Sequence, residues 1–337
     1  MPTLAEIAGH TPSGMLPELI YDIINTNPLM GYFDFGSEPS LRLKWWKAST
    51  LPTTGFRASR TPYTASKGTI KPEEVQLHYY GGKTEGIDRN EANIPGFDGL
   101  SERVRQVDMM TESIAYDMPW QVVKSNAYGI PDPAAFDGVY ALVNQINPNI
   151  SPSAEDGGNL KWTGAANANG VALGTDAKVI MMELRRLFKA VNTTRPTVLL
   201  MPDWIQAELE SISSTQGSFG PLANAFQYRD VPFVINGETL TYSILMYRGS
   251  IPCIDPGFNS QGAAIMDFDE TWGTSDVTGS IVALRIGVRG FRIYQQRPID
   301  VTPIETEVTI QDMMDWPLAP VPVVKNCIAR TRGIKKS

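Results

Sequence analysis

The chain has 337 residues, of which 42% are hydrophobic and 19% are charged, and its formal net charge is -7 at pH 7. This composition is typical of a folded globular protein and excludes a disordered chain. The negative charge also argues against a protein that coats nucleic acid with a basic surface. The length is enough for two domains, or for one domain with large insertions.

The N-terminus and the two cysteines indicate the cellular compartment in which the protein is made. Residues 1–14 lack a basic region followed by an apolar core, so we expect no signal peptide. No apolar run approaches the ~20 residues that span a bilayer, so we expect no association with a membrane. Cys253 and Cys327 are compatible with a reducing compartment or with a single bridge. We therefore expect a soluble protein that is made in the cytoplasm.

The first forty residues predict an N-terminal arm. Short helices are predicted over 4–8 and 16–24, and the apolar and aromatic segment 29–35 would dock the arm onto the body. An ordinary N-terminal helix and strand is the alternative.

Two strand patterns, at 41–46 and 75–80, bracket a long connection that is rich in Ser, Thr, Pro and Gly. We interpret 41–80 as a two-stranded hairpin that leaves the body. Because isolated hairpins are marginally stable in water, a neighbouring subunit would have to cover it. The candidate inter-subunit contacts are the aromatic and cationic side chains on this segment, namely Trp46, Phe56, Arg57, Arg60 and Tyr63. A flexible surface loop is the alternative interpretation.

Residues 98–126 predict one long helix of roughly 40 Å, at 1.5 Å per residue. One face of this helix is indicated by positions that recur at gaps of four and three, namely Leu100, Val104, Val107, Thr111, Ile114 and Met118. Asp98 is the expected N-cap. Pro119 cannot bond to Ala115, which predicts a kink or a break. A plain core helix of an α+β domain is the alternative to a helix that supports other elements.

The second half of the chain predicts a layered α/β unit. Helices are predicted over 176–191 and 202–212, on either side of a buried strand at 195–201. An apolar element begins at 136–143, and residues 144–175 predict an irregular loop. Further strands are predicted over 231–235, 240–247 and 263–268, followed by one long strand over 281–294. The basic residues Arg330, Arg332, Lys335 and Lys336 predict a solvated terminus.

The motifs of catalysis, metal binding and cofactor binding are not found. His10 and His78 are the only histidines, and neither lies in the context of a catalytic triad. The GGKT sequence at 81–84 lacks the first glycine of a phosphate loop, since Leu77 stands at that position. Asp267, Asp269 and Glu270 do not fit a calcium loop, because Thr271 interrupts the pattern. We therefore expect no enzymatic activity, no metal and no cofactor.

The order of the predicted elements resembles the major capsid proteins of tailed bacteriophages, which have the Hong Kong 97-type fold. The resemblance covers nearly the whole chain, although each motif alone is weak and Pro119 departs from the pattern by interrupting the spine helix. The segments that carry it are 3–8 with Pro28-Leu29 (N-terminal arm), 51–57 (LPTTGFR, extended-loop tip), 98–126 (spine helix), 132–138 (DPAAFDG, following turn), 195–201 (axial strand) and 329–334 (closing segment).

The resemblance implies an α+β fold whose parts follow one another along the chain. These parts are an N-terminal arm at 1–40, an extended-loop (E-loop) hairpin at 41–80, a peripheral domain at 81–130 with the spine helix at 98–126, an axial domain at 131–280, and return strands of both domains at 281–337.

The function that the resemblance implies is self-assembly into the pentamers and hexamers of an icosahedral shell, with maturation from a procapsid. The shell would enclose double-stranded DNA without sequence-specific binding, in a virion assembled in the host cytoplasm. The implied partners are further copies of the chain, a scaffolding protein, a portal and a decoration protein. The alternatives are an encapsulin-like nanocompartment shell, which has the same fold but encloses enzymes, and a soluble α/β enzyme with a long substrate loop.

Overall fold

A computed structural model of the chain describes residues 23, 25–50, 52–56, 59, 62–63, 65–88, 99–127, 132–146, 159–162, 171–173, 176–191, 195–215, 220–235, 238–266, 270–272, 276–305, 309–324 and 326–335. The helices predicted over 4–8 and 16–24 lie outside the described residues, apart from Ile23. Among the helices in the described ranges, none combines the length and the apolar character that a membrane span requires.

Five helices lie wholly within the described residues, and they are α1 (Leu29–Tyr32), α2 (Gly99–Lys124), α3 (Val139–Ile146), α4 (Ala177–Ala190) and α5 (Asp203–Thr215). The strands are β1 (Phe35–Ser37), β2 (Arg42–Thr50), β3 (Thr69–Gln76), β4 (His78–Lys83), β5 (Ile87–Asp88), β6 (Asn159–Lys161), β7 (Val171–Ala172), β8 (Val198–Leu200), β9 (Phe226–Ile235), β10 (Glu238–Tyr247), β11 (Ile251–Ile254), β12 (Glu270–Trp272), β13 (Asp276–Leu284), β14 (Phe291–Gln295), β15 (Asp300–Glu305), β16 (Thr309–Pro322) and β17 (Ile328–Lys335).

The larger sheet has nine strands in the order β6-β17-β13-β8-β11-β10-β9, with β7 beside β17 and β12 beside β13. Successive residues of its central strands point to opposite faces, and both faces are covered. On β8, Val198 and Leu200 belong to an apolar cluster that includes α2 and α3, whereas Leu199 belongs to a cluster with α4 and α5. Burial on both faces explains why this segment is a continuous apolar run and not an alternating one.

The smaller sheet has six strands, and β16 is the strand to which most of the others pair. Its order is β1-β14-β16-β15, and β4 and β5 also pair with β16. The buried side chains Met314, Trp316 and Leu318 of β16 join the same apolar cluster as α2 and α3. Both sheets therefore share one core.

The predicted long strand over 281–294 is wrong, because the segment divides between the two sheets. β13 lies in the larger sheet and β14 in the smaller one, and the chain turns between them. Gly287 has a φ of +132°, and the N–H of Phe291 donates to the carbonyl of Arg285 at 2.7 Å. A Cβ at Gly290 would lie 2.1 Å from that carbonyl oxygen, so only glycine fits the turn.

The predicted strand over 263–268 is wrong for the residues that are described. Ile265 and Met266 are buried, but they lie in a bend, and Ala264 forms only an isolated bridge with Phe258. The apolar character of this segment reflects its burial in the core and not membership of a sheet.

The long helix predicted over 98–126 is confirmed as α2, which runs through Pro119 without a break, one of the two outcomes predicted there. Ala115, Met118 and Val122 around the proline are completely buried, and this packing offsets the missing hydrogen bond. On the predicted apolar face, Thr111, Ile114 and Met118 are buried, Val107 packs partly against the core and Val104 is 44% exposed. The side chain of Leu100 lies outside the described residues.

The segment from Ile23 to Ser37 is fastened to both sheets. The side-chain amide of Asn27 donates to the carbonyl of Pro256, and β1 pairs in parallel with β14. The Asp34 carboxylate lies 3.2 Å from Nε of Arg292, in an ion pair that is almost completely buried. The expected docking of residues 29–35 onto the body is confirmed by the burial of α1 and β1.

The C-terminal basic residues were predicted to be solvated, and for Arg330 this is wrong. Arg330 lies on β17, inside the larger sheet, and is completely buried. Its guanidinium carbon lies 3.5 Å from the ring centroid of Tyr140, and its Nε donates to Oγ of Ser280 at 3.2 Å. The hydroxyl of Tyr140 also lies 3.2 Å from Oγ of Ser280, so three elements meet at this arginine.

Replacing Arg330 with alanine should destabilise the subunit by about 3 kcal/mol, because the change removes a cation–π contact and a buried hydrogen bond and leaves a cavity. Urea unfolding of the unassembled subunit measures this loss. The control is Lys335→Ala on the exposed end of the same strand, which should change the free energy of unfolding by less than about 0.5 kcal/mol. Equal midpoints for the two variants would contradict the structural role of Arg330.

Candidate functional site

A two-stranded hairpin is present as predicted, and its strands β2 and β3 form a separate sheet. The strand predicted over 75–80 is wrong, because β3 ends at Gln76 and residues 78–80 lie on β4 in the smaller sheet. The register of the hairpin runs from Arg42 opposite Gln76 to Thr50 opposite Thr69, with an irregularity between Ala48 and Thr50. Strands of this length extend roughly 30 Å at about 3.4 Å per residue. The first four residues of β3 are exposed, so the distal part of the hairpin has little cover from its own subunit.

The base of the hairpin is attached to the body by a few contacts. Leu43 is buried in the subunit, and the N–H of Leu77 donates to the carbonyl of Leu41 at 2.8 Å. Beside it, the carboxylate of Glu74 forms ion pairs with Arg42 at 3.5 Å and with Lys44 at 3.3 Å. These ion pairs are solvent-exposed and contribute at most ~1 kcal/mol each. The base therefore fixes the direction of the hairpin, while the rest depends on little besides its own ladder.

The tip carries large apolar groups in open solvent. Phe56 is fully exposed and Tyr63 is 68% exposed. The hydroxyl of Ser66 donates to the carbonyl of Thr53 at 3.1 Å, which links the two sides of the loop behind Phe56. An exposed phenylalanine at the end of a long projection has no role in the core of this subunit.

The five residues predicted as inter-subunit contacts fall into three groups. Phe56 and Tyr63 lie on the tip, whereas Trp46 lies on β2, where its backbone pairs with Pro72. Arg57 and Arg60 lie outside the described residues. The structure therefore brings two of the five to one exposed loop, and the contacts themselves stay predictions.

A second exposed apolar surface lies on the N-terminal half of α2 and was not found from the sequence. Val104 and Met109 are 44% and 54% exposed, although both lie in the middle of an ordered helix. With 26 residues, α2 is longer than the core that covers its C-terminal half. Apolar periodicity predicts which side chains share a helix face, but it does not show where the body ends. For this reason the exposure of this surface could not be predicted from the periodicity.

The edge of the larger sheet is a third surface that is open in a single subunit. Among the strands that the structure describes, β9 is the terminal one and pairs only with β10. Residues 227–230 of this strand, Gln-Tyr-Arg-Asp, are all exposed. Exposed edges are places where another chain can add.

The titratable groups in the body serve structural contacts. Asp117 on α2 accepts hydrogen bonds from the backbone N–H and the hydroxyl of Ser260, each at 2.8 Å. Burial and the nearby Asp117 carboxylate raise the pKa of Tyr80. Cys253 and Cys327 are both buried and free, and burial raises the pKa of the Cys253 thiol. Within the described ranges, no group of three or more His, Cys, Asp or Glu residues could hold a metal ion.

The GGKT sequence at 81–84 is explained by strand packing. Gly81, Gly82 and Lys83 lie on β4, and Gly81 is paired with Asp315 of β16. A Cβ at Gly81 would lie 1.9 Å from the carbonyl oxygen of Met314, so the glycine permits close approach of the two strands.

Comparison by sequence found nothing, since no protein-family model and no curated protein matches this chain. Comparison of structures found similar chains in several assemblies. A chain of the capsid of the native GTA particle is 9% identical, with a TM-score of 0.57 over 92% of this chain and 91% of that one. A chain of the holo-SrpI encapsulin complex from Synechococcus elongatus PCC 7942 is 11% identical, with a TM-score of 0.53 over 91% and 87%. A chain of Microbacterium phage Oxtober96 is 12% identical, with a TM-score of 0.51 over 90% and 89%.

These similarities extend over nearly the full length of the chain in spite of the low identity. They confirm the α+β fold of Hong Kong 97 type that the order of the elements predicted.

Replacing Phe56 with alanine should leave the stability of the unassembled subunit unchanged within about 0.5 kcal/mol, because the side chain is fully exposed. The matched control is Phe35→Ala, which removes a buried ring stacked on Trp316 and should cost about 3–5 kcal/mol. Denaturant midpoints of the unassembled subunits provide the measurement. A loss at Phe56 comparable to that at Phe35 would mean that the tip folds back onto its own body.

Proposed function

We propose that the protein is the major capsid protein of a tailed bacteriophage, and that many copies form an icosahedral shell around double-stranded DNA. The observation that carries the proposal is the hairpin of β2 and β3, which projects from the body with an exposed Phe56 at its tip. The fold in which it occurs is similar to chains of the GTA capsid and of phage Oxtober96.

Shell building requires that each subunit present two different, complementary surfaces, since the contacts run head to tail. The hairpin supplies one surface, and the exposed half of α2 with the open edge at β9 offers candidates for the other. Aromatic side chains and arginines are the types that most often anchor interfaces. Burial of one phenylalanine contributes about 1.5–3 kcal/mol, and this gain is repeated at every contact of the shell.

The finer assignments belong to the same proposal. The six-stranded sheet with α2 would form the peripheral domain, and the nine-stranded sheet would form the axial domain, within pentamers and hexamers. Trp46, Phe56, Arg57, Arg60 and Tyr63 would contact neighbouring subunits. A scaffolding protein, a portal and a decoration protein are the further partners, and assembly in the host cytoplasm would precede maturation.

The net charge of -7 supports a container for DNA in preference to a protein that coats it. A continuous basic lining would release many counterions on binding and would hold the DNA against packaging and ejection. An acidic subunit would not hold the DNA in this way, and the portal and the confinement of the shell would retain the DNA instead.

An encapsulin-like nanocompartment shell is the second candidate. It is favoured by the similarity to the holo-SrpI encapsulin chain, which covers 91% of this chain. The two functions differ in their contents, because a phage capsid would hold nuclease-protected DNA and a nanocompartment would hold protein. Nucleic-acid and protein analysis of nuclease-treated particles separates them.

The purified full-length chain should form closed shells that are visible by electron microscopy, either alone or together with a scaffolding protein. Light scattering over a wide concentration range provides the complementary measurement of size. If only monomers and dimers were found under both conditions, the proposed function would be wrong.

Shortening the hairpin should prevent shell formation but preserve the subunit. Replacing residues 51–68 with Asn-Gly joins Thr50 to Thr69, which are already paired, through a two-residue turn that suits a hairpin. Loop closure depends weakly on length, so the free energy of unfolding should change little. Far-ultraviolet circular dichroism should match the parent, while electron microscopy should show no stable particles.

A milder companion variant, Phe56→Ser with Tyr63→Ser, keeps the length of the loop and removes only its apolar groups. It should also weaken the assembly of shells. Normal shells from the shortened chain would refute the inter-subunit role of the tip, and an unfolded product would show that residues 51–68 belong to the body.

A further inference from the structure

A cavity of about 170 Å³ in the larger sheet region is bordered by three arginines, Arg185, Arg195 and Arg248. They come from three separate elements. Arg185 lies on α4, Arg195 precedes β8, and Arg248 lies in the turn between β10 and β11. β8 and β11 are parallel neighbours, with Leu199 beside Cys253, so the segments that lead into these two strands meet at one edge of the sheet.

The turn that carries Arg248 has an unusual choice of residue. Arg248 and Gly249 both have positive φ values, of 50° and 65°. Asparagine or glycine normally occupies the first position of such a turn, because a longer side chain is strained in the left-handed region. The N–H of Arg248 is held by the carbonyl of Ala225. An arginine is therefore kept in a conformation that asparagine or glycine would adopt more easily, which indicates that its side chain is used.

The side chains around the cavity are rich in cations and lack carboxylates. The guanidinium carbon of Arg248 lies 5.5 Å from the ring centroid of Tyr247, which forms part of the wall. The guanidinium of a fourth arginine, Arg229, lies against Gly249, where an added Cβ would meet it at 2.8 Å. None of the described residues that line the cavity is acidic.

Several other arginines of the described part pair with a carboxylate. Arg186, the neighbour of Arg185, contacts both carboxylate oxygens of Glu183 at 2.8 Å. Arg292 pairs with Asp34. By contrast, the three arginines of the cavity form no ion pair within the part of the chain that the structure describes. Like charges around one cavity repel each other, and a bound anion would relieve this repulsion.

We propose that this cavity, which we call the arginine cavity, binds a phosphate group. Guanidinium groups present paired N–H donors that match two oxygens of a phosphate, and they remain charged at all physiological pH values. The hydroxyl of Ser250, which also lines the cavity, supplies a further donor. The phosphate belongs either to a small free molecule or to the backbone of a nucleic acid. The proposal does not depend on shell formation.

The test uses the folded full-length chain and two probes at constant ionic strength. Calorimetry with pyrophosphate measures binding of a small molecule, and fluorescence anisotropy with a labelled double-stranded oligonucleotide measures binding of a backbone phosphate. Arg195→Gln and Arg248→Asn should each weaken binding of the relevant probe about tenfold, as expected for the loss of one charge-assisted hydrogen bond. Asparagine tolerates the left-handed turn, so Arg248→Asn removes the charge without straining the backbone.

Arg289→Gln provides the charge-matched control, because Arg289 is exposed in the turn between β13 and β14 and does not line the cavity. It should bind both probes like the parent. Should Arg195→Gln fail to fold by circular dichroism, Arg185→Gln at an exposed position of α4 provides the same test.

The two probes separate the possible sources of the phosphate. A loss confined to pyrophosphate binding would support a small phosphate ligand, and a loss confined to the oligonucleotide would support a nucleic-acid backbone. The proposal would be overturned if neither probe bound, or if every variant bound both probes as tightly as the parent. Loss of particles without any change in phosphate affinity would also overturn it and would assign the arginines to a contact between subunits.

Discussion

Burial of the C-terminal half of α2 is the constraint on which the arrangement of the subunit depends. Ala115, Met118 and Val122 are completely buried in a cluster to which both sheets contribute. Protein cores are close-packed, so a cluster filled by two sheets and two helices has no room for further elements. The first turns of α2 and the hairpin of β2 and β3 consequently remain outside. Their apolar groups, among them Phe56 on the tip and Val104 and Met109 on α2, are exposed in the described part of the subunit.

Buried arginines fix how distant parts of the chain meet. Arg292 joins Asp34 across the smaller sheet, and Arg330 joins Tyr140 and Ser280 across the larger one. A buried charge is costly unless it is paired or bonded, so any arrangement that separated these partners would be strongly disfavoured. Such contacts contribute less to net stability than to the choice of one packing over its competitors. A rigid body of this kind provides a fixed base for the projecting hairpin.

Prediction from the sequence succeeded where the signal is local. The periodicity of α2 and the apolar run at β8 depend on neighbours within one element, and the structure has both. The alternation over 75–80 was misleading, because this segment divides between β3 of the hairpin and β4 of the smaller sheet. Prediction failed where partners that are distant in the sequence determine the structure. The apolar pattern over 281–294 continues across a change of sheet, and Arg330 is buried because β17 lies between β13 and β6. Phe56 and Tyr63 were selected because they are aromatic in a polar loop, and the structure places both on the exposed tip, although their contacts stay predictions. Arg185, Arg195 and Arg248 are too far apart in sequence to be recognised as lining one cavity.

A net negative charge and a local cluster of arginines are compatible with the DNA container that we propose. The salt dependence of binding to double-stranded DNA follows the number of phosphates that are neutralised, with a slope of about -0.9 per contact. A continuous basic lining would neutralise many phosphates per subunit and would hold the DNA tightly. A cavity with three arginines that engaged one or two phosphates would give a slope of only about -1 to -2. In the proposed shell, contacts of this strength would position the outermost DNA against the wall and still release it. The placement of positive charge in one confined site, within a chain of net charge -7, therefore fits both retention and release.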